Sequence, residues 1–397
     1  MSSQPIQPAS EPPLPLMPRE WRLRMDPLLL LATLGLVAVS LLTLRSSTSN
    51  VQDDPMFFVK RQAIYAVVGL VLMYGVSRLD YSRLRELRYP IYGVLMVSII
   101  GVTLLAPETR GARSWIELPG FSLQPSELGK VLLVVALAGF LVERMREMGR
   151  QTTARVMLLG LLPTMIVMAQ PDLGSATVYV VGTLAILFIA GAPWRHFAAL
   201  IALFAVSVTF VIVGAPRLGV EVLKPYQVDR LTAFLHPSSD PSETGYQQAQ
   251  ALTAIGSGEK TGRGAENATQ TTLGFLPEFY TDFIYAVIGE TWGFAGCALV
   301  LSLYALLIWR ALHILTIAKN LFGALIAGGI AVMLLFQLFV NIGMNVGIMP
   351  ITGVTAPLLS FGGSSMLSTF LALGLLHSIN AQARETADRK GRASVFQ

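Results

Sequence analysis

Charge is what this sequence has least of. Asp, Glu, Lys and Arg make up 13% of its 397 residues, and 53% of the residues are hydrophobic. A soluble domain averages about 25% charged residues. So few charges cannot coat a water-soluble surface of this size, which points to lipid as the solvent for the apolar faces. Cysteine is nearly absent. Cys297 is the one thiol and lies in an apolar run, which excludes an intrachain disulfide and a cysteine-based metal site and reads as a small buried apolar residue. None of the four histidines pairs with another at ligand spacing, so no zinc site is expected. The net charge is +5 with a pI near 9.4. In a soluble chain that would suggest nucleic acid. Here the basic residues sit at the ends of apolar segments, where they set membrane orientation, and no nucleic-acid partner is expected.

Long apolar runs are what the sequence has instead. A bilayer crossing needs roughly 20 apolar residues, about 17 to 25. Ten stretches qualify: 27–44, 62–77, 90–106, 126–143, 156–171, 173–191, 196–215, 283–309, 321–345 and 364–382. The stretch 283–309 is long enough to begin with a turn above the membrane plane. Residues 1–26 are rich in Pro, Ser and Gln, lack a signal-peptide core and read as a disordered cytoplasmic tail. The first apolar run has no small-residue cleavage site after it and reads as an anchor. Residues 383–397 read as a basic cytoplasmic tail. Arg and Lys concentrate in the segments that are internal if the N-terminus is inside, so the expected topology is N-in/C-in. The expected fold is therefore an all-α polytopic membrane protein of about ten transmembrane helices, with a long extracytoplasmic loop at 216–282. Within that loop Gly245–Ser257 has helical periodicity. Tyr246, Ala249, Leu252 and Ile255 or Gly256 share a face that either lies on the membrane or packs on neighbouring elements.

Ionisable side chains near membrane depth are costly unless paired or wet, so each is a functional candidate. Glu127 and Lys130, in QPSELGK, are three residues apart on one helix face. They are either a self-neutralising ion pair or a pair facing a cavity, with Lys130 open to an anionic ligand; Ser126 is a candidate cap. Asp172, in QPDLGSA, is either an N-cap for the next span or a site residue at the boundary. Asp282, in FLPEFYTDFIYAVIGE, follows a candidate cap at Thr281. It is either a stabilising first-turn acid or a base whose aromatic surroundings raise its basicity. Glu278 and Glu290 flank it, and no partner for Glu290 is readable. From Asn320 to Ala383 there is no charge, but there are hinge signals: NIGMNVGIMPITGV and APLLSFGGSS. Broken backbone at that depth must be buried in protein or line a wet cavity. Ser364 lies where a helix after Gly363 would point its N–H groups at an anion. GSGEKTGRG (Gly256–Gly264) is not a phosphate loop, because Glu259 separates Gly258 from Lys260. It reads as a flexible basic loop, with Lys260 and Arg263 candidates to meet phosphate.

Together these segments resemble the SEDS family (shape, elongation, division and sporulation proteins). The matching runs are RGARSWIELPGFSLQPSELGK, QPDLGSA, RLTAFLHPSSDPSETGYQQAQALTAIGSG, TLGFLPEFYTDFIYAVIGE, NIGMNVGIMPITGV and LLSFGGSS, in the family's order, over about residues 27–382. The resemblance implies a peptidoglycan glycosyltransferase of the bacterial inner membrane, with its active site facing outside. It would polymerise lipid II with loss of undecaprenyl pyrophosphate. Its partners would be a class B penicillin-binding protein and other elongation or division complex proteins. ATQTTLGFLPE and RQAIYAVVGLVLMYGVSRLDY look more like the elongation type (RodA) than the division type (FtsW). The family's catalytic Asp maps onto Asp282. There are departures: Phe279-Tyr280 stand where the family has a residue and then His, Glu259 replaces a Gly, and Thr355 replaces a Pro.

The resemblance also implies one inversion, from an α-linked donor to a β-linked product, and so a single displacement. That needs a base, for which Asp282 is the candidate, and a clamp for the pyrophosphate. Lys130 and Arg113 are the clamp candidates, with Arg110 and Arg263. Trp115 would either stack on a sugar or anchor its loop at the interface. A divalent cation, Mg²⁺ or Mn²⁺, is plausible, with no ligand set readable; Asp172 and Glu127 are guesses. Two rivals remain: a lipid II flippase, against which the one-sided clustering of charge argues, and a non-catalytic scaffold, which would not need Asp282.

Overall fold

A computed structural model of the chain describes residues 25–47, 56–106, 114–118, 121–144, 149–210 and 243–395. The leading tail through residue 24, Arg110, Arg113 and loop residues 211–242 lie outside the described residues. The helices are α1 (Pro27–Ser47), α2 (Phe57–Ser77), α3 (Arg88–Leu105), α4 (Pro125–Val142), α5 (Arg150–Ala169), α6 (Leu173–Ile189), α7 (Trp194–Thr209), α8 (Glu243–Ser257), α9 (Thr269–Thr272), α10 (Ile284–Ile317), α11 (Leu321–Asn345) and α12 (Gly363–Val395). Seven of them (α1 to α5, α10 and α11) are long and apolar enough to cross a membrane. The three remaining expected spans correspond to α6, α7 and α12. Residues 383–395 continue α12 without a break, where a separate tail was expected.

A helix that is apolar all round belongs in the centre. The spanning stretch of α4 is 83% buried and that of α11 is 72% buried. By contrast α3 turns Val97, Leu104 and Leu105 outward, as a lipid-facing helix does. Close packing uses small residues, because lipid supplies no hydrophobic drive between helices. Gly69 of α2 lets α12 approach until a Cβ there would lie 2.0 Å from the Phe370 ring. Gly129 of α4 does the same for the Tyr179 hydroxyl, which donates to the Ser126 carbonyl at 2.9 Å.

Between α11 and α12 the chain runs irregularly through the bundle, as the hinge signals require. Its carbonyls are answered by side chains from elsewhere. Asn341 reaches Val354 at 2.8 Å, Tyr304 reaches Pro357 at 2.6 Å, Ser40 reaches Leu359 at 2.6 Å and Gln62 reaches Ser360 at 3.1 Å. Unpaired backbone groups in an apolar setting would be costly, so these four side chains make the irregular path possible.

The long helix α10 breaks at Gly293 (φ 64°, ψ −158°). The loop Gly256–Gly264 clasps this break. Arg263 and Gly264 donate N–H groups to the carbonyls of Glu290 and Thr291 at 2.9 and 3.1 Å. The carbonyls of Glu259 and Lys260 accept from Phe294 and Ala295 at 2.9 and 3.1 Å. These are the groups that a helix break would leave orphaned. A Cβ at Gly262 would stand 2.2 Å from the Thr291 oxygen, so glycine alone permits the contact. The stretch that mimics a phosphate loop is thus a helix clasp.

The helix α8 buries Gly245, Gln248, Ala251 and Ala254, and leaves Tyr246 and Leu252 exposed. The small residues face the core because they allow close approach to Phe279, Phe283, Ala286 and Val287. At the far end of the bundle Asp26 caps α1 and pairs with Arg310 of α10 and, at 3.4 Å, with Arg384 of α12. The beginning of α1 and the extension of α12 therefore lie together, away from the site described next.

Candidate functional site

A two-stranded hairpin, β1 (Ile116–Leu118) with β2 (Phe121–Leu123), leads into α4 and rests on the start of α12. The Ser364 hydroxyl donates to the Ser122 carbonyl at 3.0 Å and accepts from the Gln124 N–H at 2.8 Å. Beneath it lies a cavity of about 320 Å³. Gln124 and Glu127 face it from the start of α4, and Asp172 and Ser175 from the start of α6. Gly362, Ser364 and Ser365 face it from the start of α12, and Asp282 from the turn before α10. Four helix N-termini thus converge, each presenting the positive end of its backbone dipole. The dipoles of α4 and α6 already have anions, Glu127 and the capping Asp172. The first turn of α12 has none, so its N–H groups are the part of the wall best suited to an anionic group.

Asp282 lies just outside its helix. Glu278 adopts a left-handed φ of 49°, and its carbonyl accepts from the N–H groups of Thr281 and Asp282 at 3.2 and 3.1 Å. This turn delays the helix to Ile284 and corrects two expectations. Thr281 does not cap α10, because its hydroxyl turns back to Glu278. Asp282 is not in the first turn. The Asp282 carbonyl accepts from Asn341 at 3.2 Å and from Asn345 at 3.0 Å. Gly353, at φ 73°, runs so close that a Cβ there would be 3.8 Å from Asp282 Oδ2. Ser360 donates to the Thr281 carbonyl at 2.6 Å, tying the turn to the irregular segment.

Asp172 is both cap and tie. Its Oδ1 accepts from the Ser175 N–H at 2.9 Å, while Oδ2 accepts from Gln124 at 2.9 Å and Ser126 at 3.1 Å. Ser126 therefore does not cap α4, which begins at Pro125 without a side-chain cap; its hydroxyl is engaged by Asp172. Glu127 and Lys130 form a buried ion pair at 2.6 Å, and Lys130 reaches on to Gln337 at 3.2 Å. Glu127 lines the large cavity. Lys130 lies behind it and borders a much smaller one.

Of the expected site residues, Trp115, Glu127, Asp172, Asp282 and Ser364 share the cavity. Arg110 and Arg113 lie outside the described residues. Arg263 is in the clasp, its Nε donating to the Ser257 carbonyl at 2.9 Å, and does not line the cavity. Glu290, without a readable partner in the sequence, is fully buried. Its carboxylate accepts from the N–H groups of Gln270 and Thr271 and from the Thr271 hydroxyl, at 2.8, 3.1 and 2.7 Å, holding α9 in place. Sequence reasoning missed Gln124, Ser175, Thr355, Phe361 and Ser365 as cavity residues. All five lie within or beside the polar, hinge-rich runs already singled out.

Among the described residues, no three His, Cys, Asp or Glu side chains gather as a metal site would require. Mg²⁺ is often held by one or two carboxylates with substrate phosphates and water, and Glu278, on the cavity wall, suits that mode.

A family model described as "Cell cycle protein" (FtsW, RodA, SpoVE) matches residues 22–385. The peptidoglycan glycosyltransferase RodA of Treponema pallidum is 34% identical over 90% of this chain and 98% of its own length. A probable peptidoglycan glycosyltransferase FtsW of Thioalkalivibrio sulfidiphilus is 36% identical over 94% of this chain and 93% of its own. A solved structure described as a peptidoglycan synthase complex coordinating polymerization and crosslinking superposes with a TM-score of 0.77. It is 32% identical and covers 91% of this chain and 99% of that one.

Proposed function

The chain belongs to the FtsW/RodA/SpoVE family, the SEDS proteins, and from that premise we propose how its cavity carries out the family's chemistry. It is a multi-pass membrane protein and a peptidoglycan glycosyltransferase. Relatives of the RodA and FtsW types match at nearly equal identity.

The observation that carries the mechanism is that Asp282 and the uncompensated N-terminus of α12 line one cavity. The substrate is lipid II. Asp282 takes the proton of the acceptor sugar hydroxyl while that oxygen attacks the anomeric carbon of the donor. The bond from that carbon to the pyrophosphate oxygen breaks on the opposite face, with one inversion. A positioned base is worth typically ~10²–10⁴-fold. The departing pyrophosphate is received by the N–H groups of Gly363, Ser364 and Ser365 and by the Ser365 hydroxyl. Arg110 and Arg113 are proposed as the arginines that bind it. Trp115 faces the sugar. Glu278 would hold a divalent cation, Mg²⁺ or Mn²⁺, which would supply positive charge against the leaving group.

The distribution of Arg and Lys supports a cavity that opens on the outer face of the inner membrane. The pairing of Asp26 with Arg310 and Arg384 at the other end agrees with both termini being inside. The partner is a class B penicillin-binding protein that crosslinks the nascent glycan. The test is lipid II polymerisation by the purified chain, with and without that partner and with Mg²⁺ or Mn²⁺, under moenomycin to silence polymerases of the other class. Glycan ladders support the reading. Their absence under every condition, with lipid II crossing liposome membranes instead, replaces it with a flippase.

A further inference from the structure

Lys130 is 4% exposed, and an ammonium group carries three N–H donors. Glu127 takes one at 2.6 Å and Gln337 a second at 3.2 Å. The Gln337 amide cannot turn away freely, since its Nε2 donates to the Met333 carbonyl at 3.3 Å. Beside Lys130 lies a cavity of about 20 Å³, bordered also by Gln337, Ser368 and Thr369. A single water needs at least about 10–15 Å³ measured this way, and two to four polar partners. The hydroxyls of Ser368 and Thr369 both donate to the Ser365 carbonyl, at 3.0 and 2.8 Å. Their protons are committed, and toward the small cavity they can only accept. Ser365 itself lines the large cavity.

We propose that this small cavity is a binding site for one ordered water, which takes the third N–H of Lys130 and is held by the hydroxyl of Thr369. Gln337, the water and Glu127 then surround the ammonium. Lys130 becomes a positioning residue that fixes the Glu127 carboxylate at the wall of the reaction cavity, and does not touch the pyrophosphate. Gln337 and Thr369 act through it. Charge-assisted hydrogen bonds of this kind are strong and direction-setting, and a buried network specifies geometry only when every donor is satisfied. The proposal rests on the glycosyltransferase reading of the large cavity.

The test uses full-length protein in detergent, with lipid II turnover and thermal unfolding measured on the same samples. Gln337→Met and Thr369→Val keep shape and remove an acceptor. Each should lower kcat by about fivefold or more and leave KM within about twofold. Thr369→Ser loses a methyl group but keeps the hydroxyl, and should retain most of the kcat. A packing role predicts the reverse order, with Val above Ser. That reverse order, or unchanged kcat in both acceptor-deleting variants of an active protein, overturns the proposal. So does a rise in KM at constant kcat, which would put this wall in contact with the ligand. If Gln337→Met does not fold, the Thr369 pair decides. An inactive wild-type protein removes the glycosyltransferase premise instead, an outcome distinct from any of these.

Discussion

The side-chain amide of Asn345 donates to the backbone carbonyl of Asp282 at 3.0 Å, across a sequence separation of 63 residues. Asn341, one turn earlier on α11, donates to the same carbonyl at 3.2 Å, and Asn345 Oδ1 accepts from the Ala286 N–H at 3.1 Å. The turn carrying the proposed base is thereby fixed to α11 through its main chain. Both asparagines are fully buried.

Asn345→Ala removes one of two donors to the Asp282 carbonyl, which keeps Asn341, and one of two acceptors for the Ala286 N–H, which keeps the Phe283 carbonyl at 2.9 Å, at a cost of about 0.5–1.5 kcal/mol for each bond lost. The expected result is a lower unfolding midpoint and a kcat reduced by ~10-fold or more, with a smaller change in KM. Unfolding curves and steady-state polymerisation on the same preparation check it.

The clasp at the α10 break gives a pair of opposed predictions. Gly262→Ala puts a Cβ where the structure leaves 2.2 Å to the Thr291 oxygen, at φ 83°, and should be strongly destabilising. Glu259 occupies a left-handed φ of 48°, which costs a non-glycine residue roughly 1–2 kcal/mol. Glu259→Gly should recover part of that and raise the unfolding midpoint. Thermal unfolding in detergent reads both.

Glu290 is expected to be structural. Glu290→Gln keeps shape but sets a donor-only NH2 where one of the two accepting oxygens stood, so at least one of the bonds from Gln270 and Thr271 is lost. Those that remain weaken, since bonds to a charged acceptor contribute about 1.5–3 kcal/mol against about 1 for neutral ones. Stability should fall, while kcat per folded molecule stays near wild type. Active-site titration of the folded fraction separates the two.

At the opposite end, burial alone would raise the Asp26 carboxyl. The Arg310 guanidinium and the Leu29 N–H, with Arg384 further out, outweigh this and hold it below its usual value. A carboxyl lowered in the folded state contributes stability above the unfolded-state value, near 3.8, and loses it as pH falls through the folded value. Asp26→Asn should thus be destabilised at neutral pH, because Arg310 is left buried without its counter-charge. The gap from wild type should narrow in acid below about pH 4. Unfolding midpoints across that range check the sign.

The spans and their order were legible because a bilayer demands length and apolarity, and both are written locally. Asp172, Glu127 and Asp282 were legible because charge at a membrane boundary is rare and conspicuous. What the sequence left open was mutual arrangement. Ser126 and Thr281 both read as caps, yet Asp172 and Glu278 lie closer to their hydroxyls in the folded chain. Glu290 lacked a partner because its partners are mostly backbone N–H groups about twenty residues away. The stripe on α8 read from its larger side chains, whereas the alanines face inward. Lys130 could equally have faced a ligand or its own glutamate, and Gln337, which holds it, is 207 residues distant.

The central claim is that Asp282 takes the acceptor proton, and lipid II polymerisation by purified Asp282→Asn beside wild type tests it most directly. Both proteins should first be matched for unfolding midpoint and for lipid II binding. The account predicts wild-type glycan ladders and a loss of turnover of ~10²-fold or more in the variant, with binding retained. Near-wild-type ladders from well-folded Asp282→Asn would contradict it and return the base to another group on the cavity wall.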